Sequence, residues 1–296
     1  MKHKLLQAIA AVLLGSISVI ASANEIKVGG KNFTEQQLLT SLTGQYLQGL
    51  GYQVEQRAGM GSSVLRTAQE NGQIDLYWEY TGTSLVTYNK VKERLSPDDT
   101  YARVKTLDAA KGLVWLKPSK ANNTYAFAMR SADAQKRGIT TLSQLAASLK
   151  ANGSKSLSIA MNAEFYSRAD GFKPLAETYD LVIDRDRVRR MDTGLTYVAL
   201  KDEQVDVAQV MATDGRIPAF GFTVLQDDLH FFPDYAITPV VREKTLAQNP
   251  ELAEQMNRLS ALLDDQVMAE LNAQVDVKGI AIETVASDFL KRNKLI

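Results

Sequence analysis

From residue 25 onward, short apolar runs alternate with stretches whose apolar positions recur every three or four residues. After Ile26-Lys27-Val28, the positions Leu38, Leu39, Leu42, Tyr46 and Leu50 follow helical spacing, and Gly51 suits a stop. Thr34-Glu35-Gln36-Gln37 reads as a capping box, with the Thr oxygen on the third residue's N–H and the Gln side chain reaching back. Ser62-Ser63 opens a second helix with Val64, Leu65 and Ala68 on one face and Gly72 at its end. Strands alternating with such helices predict parallel sheets built from βαβ units.

The pattern then repeats. EIKVGGKNFTEQQLLTSLTGQYLQGLGYQVEQ has a counterpart in SLSIAMNAEFYSRADGFKPLAETYDLVIDRD, and GQIDLYWEYTG matches EQVDVAQVMATDG. Phe33 and Phe165 are 132 positions apart, Asp75 and Asp206 131. A nearly constant offset predicts two similarly built α/β units, and it pairs Tyr80 with Met211. The matching helix of the second unit spans Thr193 to Asp202, with Leu195, Val198 and Ala199 inward. LQDDLHFFPDYAITPVV is an irregular connection, and helical runs dominate from Asn249 onward. A chain that builds one lobe, crosses to a second and returns would place these last helices on the first lobe, with a ligand cleft between the two. The expected division is 1–23 as a signal peptide, 24–124 plus 233–296 as lobe 1, and 125–232 as lobe 2.

Composition narrows the setting. MKHK, the apolar run LLQAIAAVLLGSISVI and Ala21-Ser22-Ala23 make a secretory signal peptide with cleavage expected after Ala23, hence a periplasmic protein. Loss of residues 1–23 removes Lys2 and Lys4 and no acid, leaving 32 basic against 34 acidic side chains. That balance argues against a nucleic-acid partner. Without cysteine there is no disulfide, no thiol nucleophile and no lipid-accepting residue after the signal. No catalytic group, metal site or cofactor motif is expected. His230 is the sole histidine after the signal and reads as structural or solvent-facing. The acid pairs Asp227-Asp228 and Asp264-Asp265 read as turns or helix ends.

Candidate binding chemistry lies where strand-like runs end. Lys31 follows Val28-Gly29-Gly30, Tyr80 ends IDLYWEY, Tyr125 lies in NNTYAFAM and Arg168 in EFYSRADGF. Tyrosine faces can hold a quaternary ammonium. Arg168 can grip a carboxylate bidentately, and the alternative is an ion pair with Asp170 or Glu164. Tyr77 and Trp78 are expected in the core.

KNFTEQ, EYTGT, NNTYAF, EFYSRADG, VDVAQVMATDG and FFPDYAITP, in this order, resemble the osmoprotectant-binding proteins of ABC importers, the receptors for glycine betaine, choline, carnitine and related compounds. The resemblance implies a type II periplasmic-binding-protein fold, two α/β lobes joined by a two-crossing hinge. It also implies a small zwitterionic or quaternary-amine ligand and docking of a monomeric receptor onto a membrane permease. By the same resemblance, Tyr80, Tyr125 and Tyr235 would be rings of an aromatic cage, and Lys31, Thr83 and Arg168 the carboxylate end. Two positions depart: Asn123 stands where relatives carry Asp, and Met211 where they carry a cage Tyr. A desolvated cation–π contact is worth about 2 kcal/mol and about 1.4 kcal/mol is tenfold in affinity, so the departures imply weakened or shifted betaine binding that Met211→Tyr and Asn123→Asp would restore. The other functions open at this point are an amino-acid receptor, with Asn123 accepting from an ammonium group, and a periplasmic hydrolase working through carboxylates.

Overall fold

The computed structural model describes residues 25–296; the expected signal peptide lies outside them. The first half builds β1 (Ile26–Lys31), α1 (Thr34–Gly49), β2 (Val54–Met60), α2 (Ser62–Glu70), β3 (Leu76–Tyr80), a π-helical turn (Thr83–Tyr88), α3 (Pro97–Ala109) and β4 (Leu113–Trp115). The chain then crosses to β5 (Tyr125–Arg130), α4 (Ser131–Arg137), α5 (Leu142–Asn152), β6 (Ile159–Asn162), α6 (Ala163–Ser167), α7 (Phe172–Tyr179), β7 (Val188–Met191), α8 (Thr193–Lys201), β8 (Val207–Met211), α9 (Arg216–Ala219) and β9 (Phe222–Leu225). It returns as β10 (Ile237–Arg242), α10 (Glu243–Gln248), α11 (Leu252–Ser260), α12 (Asp265–Asp276) and α13 (Ile282–Arg292).

Two five-stranded sheets result, ordered β2-β1-β3-β10-β4 and β7-β6-β8-β5-β9. The orders are the same once β1, β2 and β3 are matched to β6, β7 and β8, so the internal echo is a duplicated architecture. Neither sheet is wholly parallel. β10 runs antiparallel to β3, and β5 antiparallel to β8, because each enters its sheet directly from a crossing rather than through a helical crossover. The helices α12 and α13 pack on α1, which returns the C-terminus to the first sheet.

Three local expectations fail for identifiable reasons. Phe33, not Thr34, caps α1, and the first free N–H groups go to the Phe33 carbonyl. The Thr34 hydroxyl instead donates to Asp276 at 2.7 Å, and Gln36 turns inward to Trp78 O and the Tyr80 hydroxyl, so no capping box forms. Val64 of α2 and Leu195 and Val198 of α8 face solvent. In α2 the expected Leu65 and Ala68 are inward and only Val64 turns out; in α8 the expected Ala199 is inward, but Tyr197 and Leu200 take the places of Leu195 and Val198. Tyr77 and Trp78 are buried as expected, the indole N–H donating to Thr43 Oγ1 at 2.8 Å.

Candidate functional site

The ends of β1, β3, β6, β7 and β8 converge on one cavity of about 530 Å³, the place where the strands of α/β units open onto a ligand crevice. Lys31, Tyr80, Thr83, Asn123, Tyr125, Arg168, Met211 and Tyr235 all line it. Tyr80 ends β3, which is buried along its whole length, and Met211 ends β8 at the equivalent place, directly opposite Tyr125 in the β5–β8 register. Tyr125 and Tyr235 meet edge to face with centroids 5.6 Å apart. Phe33 stacks on Tyr80 at 6.2 Å.

The cations of the cavity are already engaged. Lys31 Nζ lies 2.6 Å from Glu79 Oε1 and 4.7 Å from the Tyr80 ring centroid. The opposite Glu79 oxygen accepts from the Tyr77 hydroxyl at 2.7 Å. Arg168 Nε and Nη2 donate to the two oxygens of Asp170 at 2.7 and 2.5 Å. Its Nη1 reaches Glu164 at 3.2 Å and its Nη2 reaches Thr83 Oγ1 at 3.2 Å. Four of the five guanidinium N–H groups are thereby used. The bidentate grip on a ligand expected for Arg168 is instead made on Asp170, because the turn at Gly171 folds the two side chains together. A Cβ at Gly171 would lie 1.8 Å from the Phe165 carbonyl oxygen. Burial raises the Asp170 carboxyl, yet the Arg168 guanidinium holds it below the usual range. The Tyr235 hydroxyl donates to the same carboxylate at 2.7 Å, tying the segment before β10 to the loop after α6.

Glu35 is the residue that sequence reasoning missed. Fully buried in the wall of the cavity, it accepts from the Tyr80 hydroxyl at 2.8 Å and Asn123 Nδ2 at 2.6 Å on one oxygen. The other oxygen accepts from the Thr213 hydroxyl and from Asn272 Nδ2 at 3.2 Å. Burial pushes this carboxyl above its ordinary value, and the four hydrogen bonds pull it partly back. Its neighbourhood is closed by a second ionic group: Arg216 is paired with Asp214 at 2.6 Å and with Asp276 of α12 at 3.3 Å. Glu35–Thr213, Asp276–Arg216 and Thr83–Arg168 each join an element of the first sheet to one of the second. The KNFTEQ segment contained Glu35, but it read as a capping box carried by Thr34 and Gln37 that left Glu35 no role; Asn272 carried no local signal.

His230 is exposed on a turn away from this cavity. Asp264 caps α12 through Val267 N, and Asp227 accepts from Phe231 N and Phe232 N, so the acid pairs fasten a helix end and a turn. Among the described residues no group of His, Cys, Asp and Glu is arranged to hold a metal, and no helix is long and apolar enough to cross a membrane.

Comparison with known proteins agrees with this architecture. The family described as "Substrate binding domain of ABC-type glycine betaine transport system" matches residues 24–292. A glycine-betaine-binding protein of Pseudomonas aeruginosa is 44% identical over 281 residues, covering 94% of this chain and 90% of its own length. The glycine betaine-binding protein YehZ of Escherichia coli is 32% identical, covering 95% of each chain. Among solved structures, one described as a glycine betaine/carnitine/choline ABC transporter superposes with a TM-score of 0.73 at 29% identity, over 91% of this chain and 99% of that one. The two lobes, the mixed sheets and the crossings are those of a periplasmic binding protein.

Proposed function

Because the chain belongs to the family of substrate-binding domains of ABC-type glycine betaine transport systems, we propose that its inter-sheet cavity captures glycine betaine or a related quaternary amine for delivery to a membrane permease. The observation that carries this reading is the meeting of Tyr80, Tyr125 and Tyr235 around one cavity that also holds Arg168, Lys31 and Thr83. The three rings, with Met211, form the walls for the ammonium head, which has no N–H and is recognised by ring faces. The carboxylate goes to Thr83 and to the one unused N–H of Arg168. A single N–H is a weaker hold than a fork, so betaine affinity is modest by this reading. Lobe 1 comprises 24–124 and 233–296 and lobe 2 comprises 125–232, so the cavity closes as the lobes meet. The receptor works as a periplasmic monomer and leaves its ligand chemically intact.

Calorimetric titration tests this on mature protein unfolded and refolded to remove carried-over ligand. Glycine betaine, choline, carnitine, proline betaine and plain amino acids are compared. Saturable heat with a quaternary amine, with the ligand recovered unchanged, is the expected result. Heat from an amino acid alone, or consumption of the ligand, overturns the proposal.

A further inference from the structure

We propose that Glu35 is the counter-charge for the cationic head of the ligand, and thus a residue that sets specificity for a charged over a neutral trimethyl group; this rests on the function proposed above. The argument begins with pairing. Lys31, Arg168 and Arg216, the cations lining the cavity, each contact a carboxylate of the protein. Glu35 is 3% exposed, lines the same cavity and is in no ion pair among the described residues. Its four partners are two hydroxyls and two amide groups, all neutral. A buried carboxylate held only by neutral donors has no counter-charge, and burial favours its neutral form until a cation brought into the cavity offsets the charge.

Geometry directs that charge at the proposed cage. Glu35 binds the hydroxyl of Tyr80, one of the cage rings, and the amide of Asn123, two residues before Tyr125. The Thr213 hydroxyl, two residues after Met211, reaches it from the other sheet. The carboxylate thus contacts the wall residues at their polar ends, while Lys31 and Arg168 lie over the Tyr80 and Tyr125 rings at 4.7 and 5.3 Å. The arrangement also gives Asn123 a role: an amide there donates to Glu35, fixing its position without adding a competing charge.

The test compares glycine betaine with 3,3-dimethylbutanoate, its isostere with carbon in place of the ammonium nitrogen, on wild-type protein and Glu35→Gln. The substitution is expected to lower betaine affinity by about tenfold or more relative to its effect on the isostere. Both ligands changing by one common factor, or neither changing, overturns the inference while leaving the receptor function standing. A wild-type protein that binds no quaternary amine overturns both. A purely structural role for Glu35 gives the common factor, so the differential is diagnostic. Should the variant fail to fold, or the isostere bind too weakly to measure, the side-chain carboxyl carbon-13 shift of Glu35 in the neutral-pH betaine complex decides. An ionised carboxylate is expected, and a protonated one overturns the assignment.

Discussion

Asp108→Asn is expected to destabilise the first lobe more than any other single conservative change at a buried polar group. Asp108, at the end of α3, accepts from Arg66 Nη1 and Nη2 at 2.8 and 2.6 Å. It also accepts from Trp115 Nε1 at 2.8 Å, Ser84 Oγ at 2.9 Å and Asn89 Nδ2 at 3.0 Å. Burial would raise its carboxyl, but Arg66 and the other donors hold it at about 2 against an ordinary 3.8. That difference is about 2–3 kcal/mol of ionisation-linked stability. Asparagine turns an N–H₂ towards donors and leaves the buried Arg66 with only the half-exposed Glu70 as its ionic partner, a loss of about 3–5 kcal/mol. For a chain of this size the midpoint of thermal unfolding should fall by roughly 6–20 °C at neutral pH.

The pH dependence carries a sign that identifies the cause. The folded carboxyl titrates lower than the unfolded one, so its stabilisation is complete above about pH 4 and is lost as the pH falls towards about 2. The gap between wild-type and Asp108→Asn should therefore shrink over that interval. The consequence reaches the cavity, because Ser84 and Asn89 anchor the π-helical turn that carries Thr83. Thermal unfolding followed by circular dichroism at a series of pH values measures both effects. A loss below about 1 kcal/mol at neutral pH, or a gap that persists undiminished at acid pH, would refute the reasoning.

Met211→Tyr adds a ring opposite Tyr125 and should tighten betaine binding by about tenfold in a titration; an unchanged affinity removes Met211 from the cage. Asn123→Asp, read from sequence as a restoring change, should instead weaken binding, since it sets a second carboxylate against Glu35, which Asn123 Nδ2 now contacts at 2.6 Å. Tighter binding in that variant would show that the two acids share a proton or move apart. Gly215→Ala should lower ligand affinity with little effect on thermal stability, because its Cβ would lie 2.4 Å from Ala273 Cβ and 2.6 Å from the Ala269 carbonyl on α12, where the lobes touch.

The sequence disclosed the frame of the molecule more readily than its charge balance, for a physical reason. Tyr80 and Met211 were legible as equivalent strand ends because the repeat is linear: a constant offset survives folding as two sheets of one order. Glu35 was not, because its hydrogen-bond partners lie 45, 88, 178 and 237 positions away. Thr34 looked like a helix cap for the same reason, its hydroxyl being drawn to an aspartate 242 residues on. The outward Val64 and Leu195 are a different failure: apolar spacing marks a helix but does not fix which of two adjacent faces turns inward. Asn123 joins the two lessons. As a letter in the chain it is a lost carboxylate, whereas in the fold it is the donor that steadies a carboxylate already present. If Glu35 has the role proposed for it, the negative charge facing the cage has not disappeared from this chain; it stands one residue inside α1.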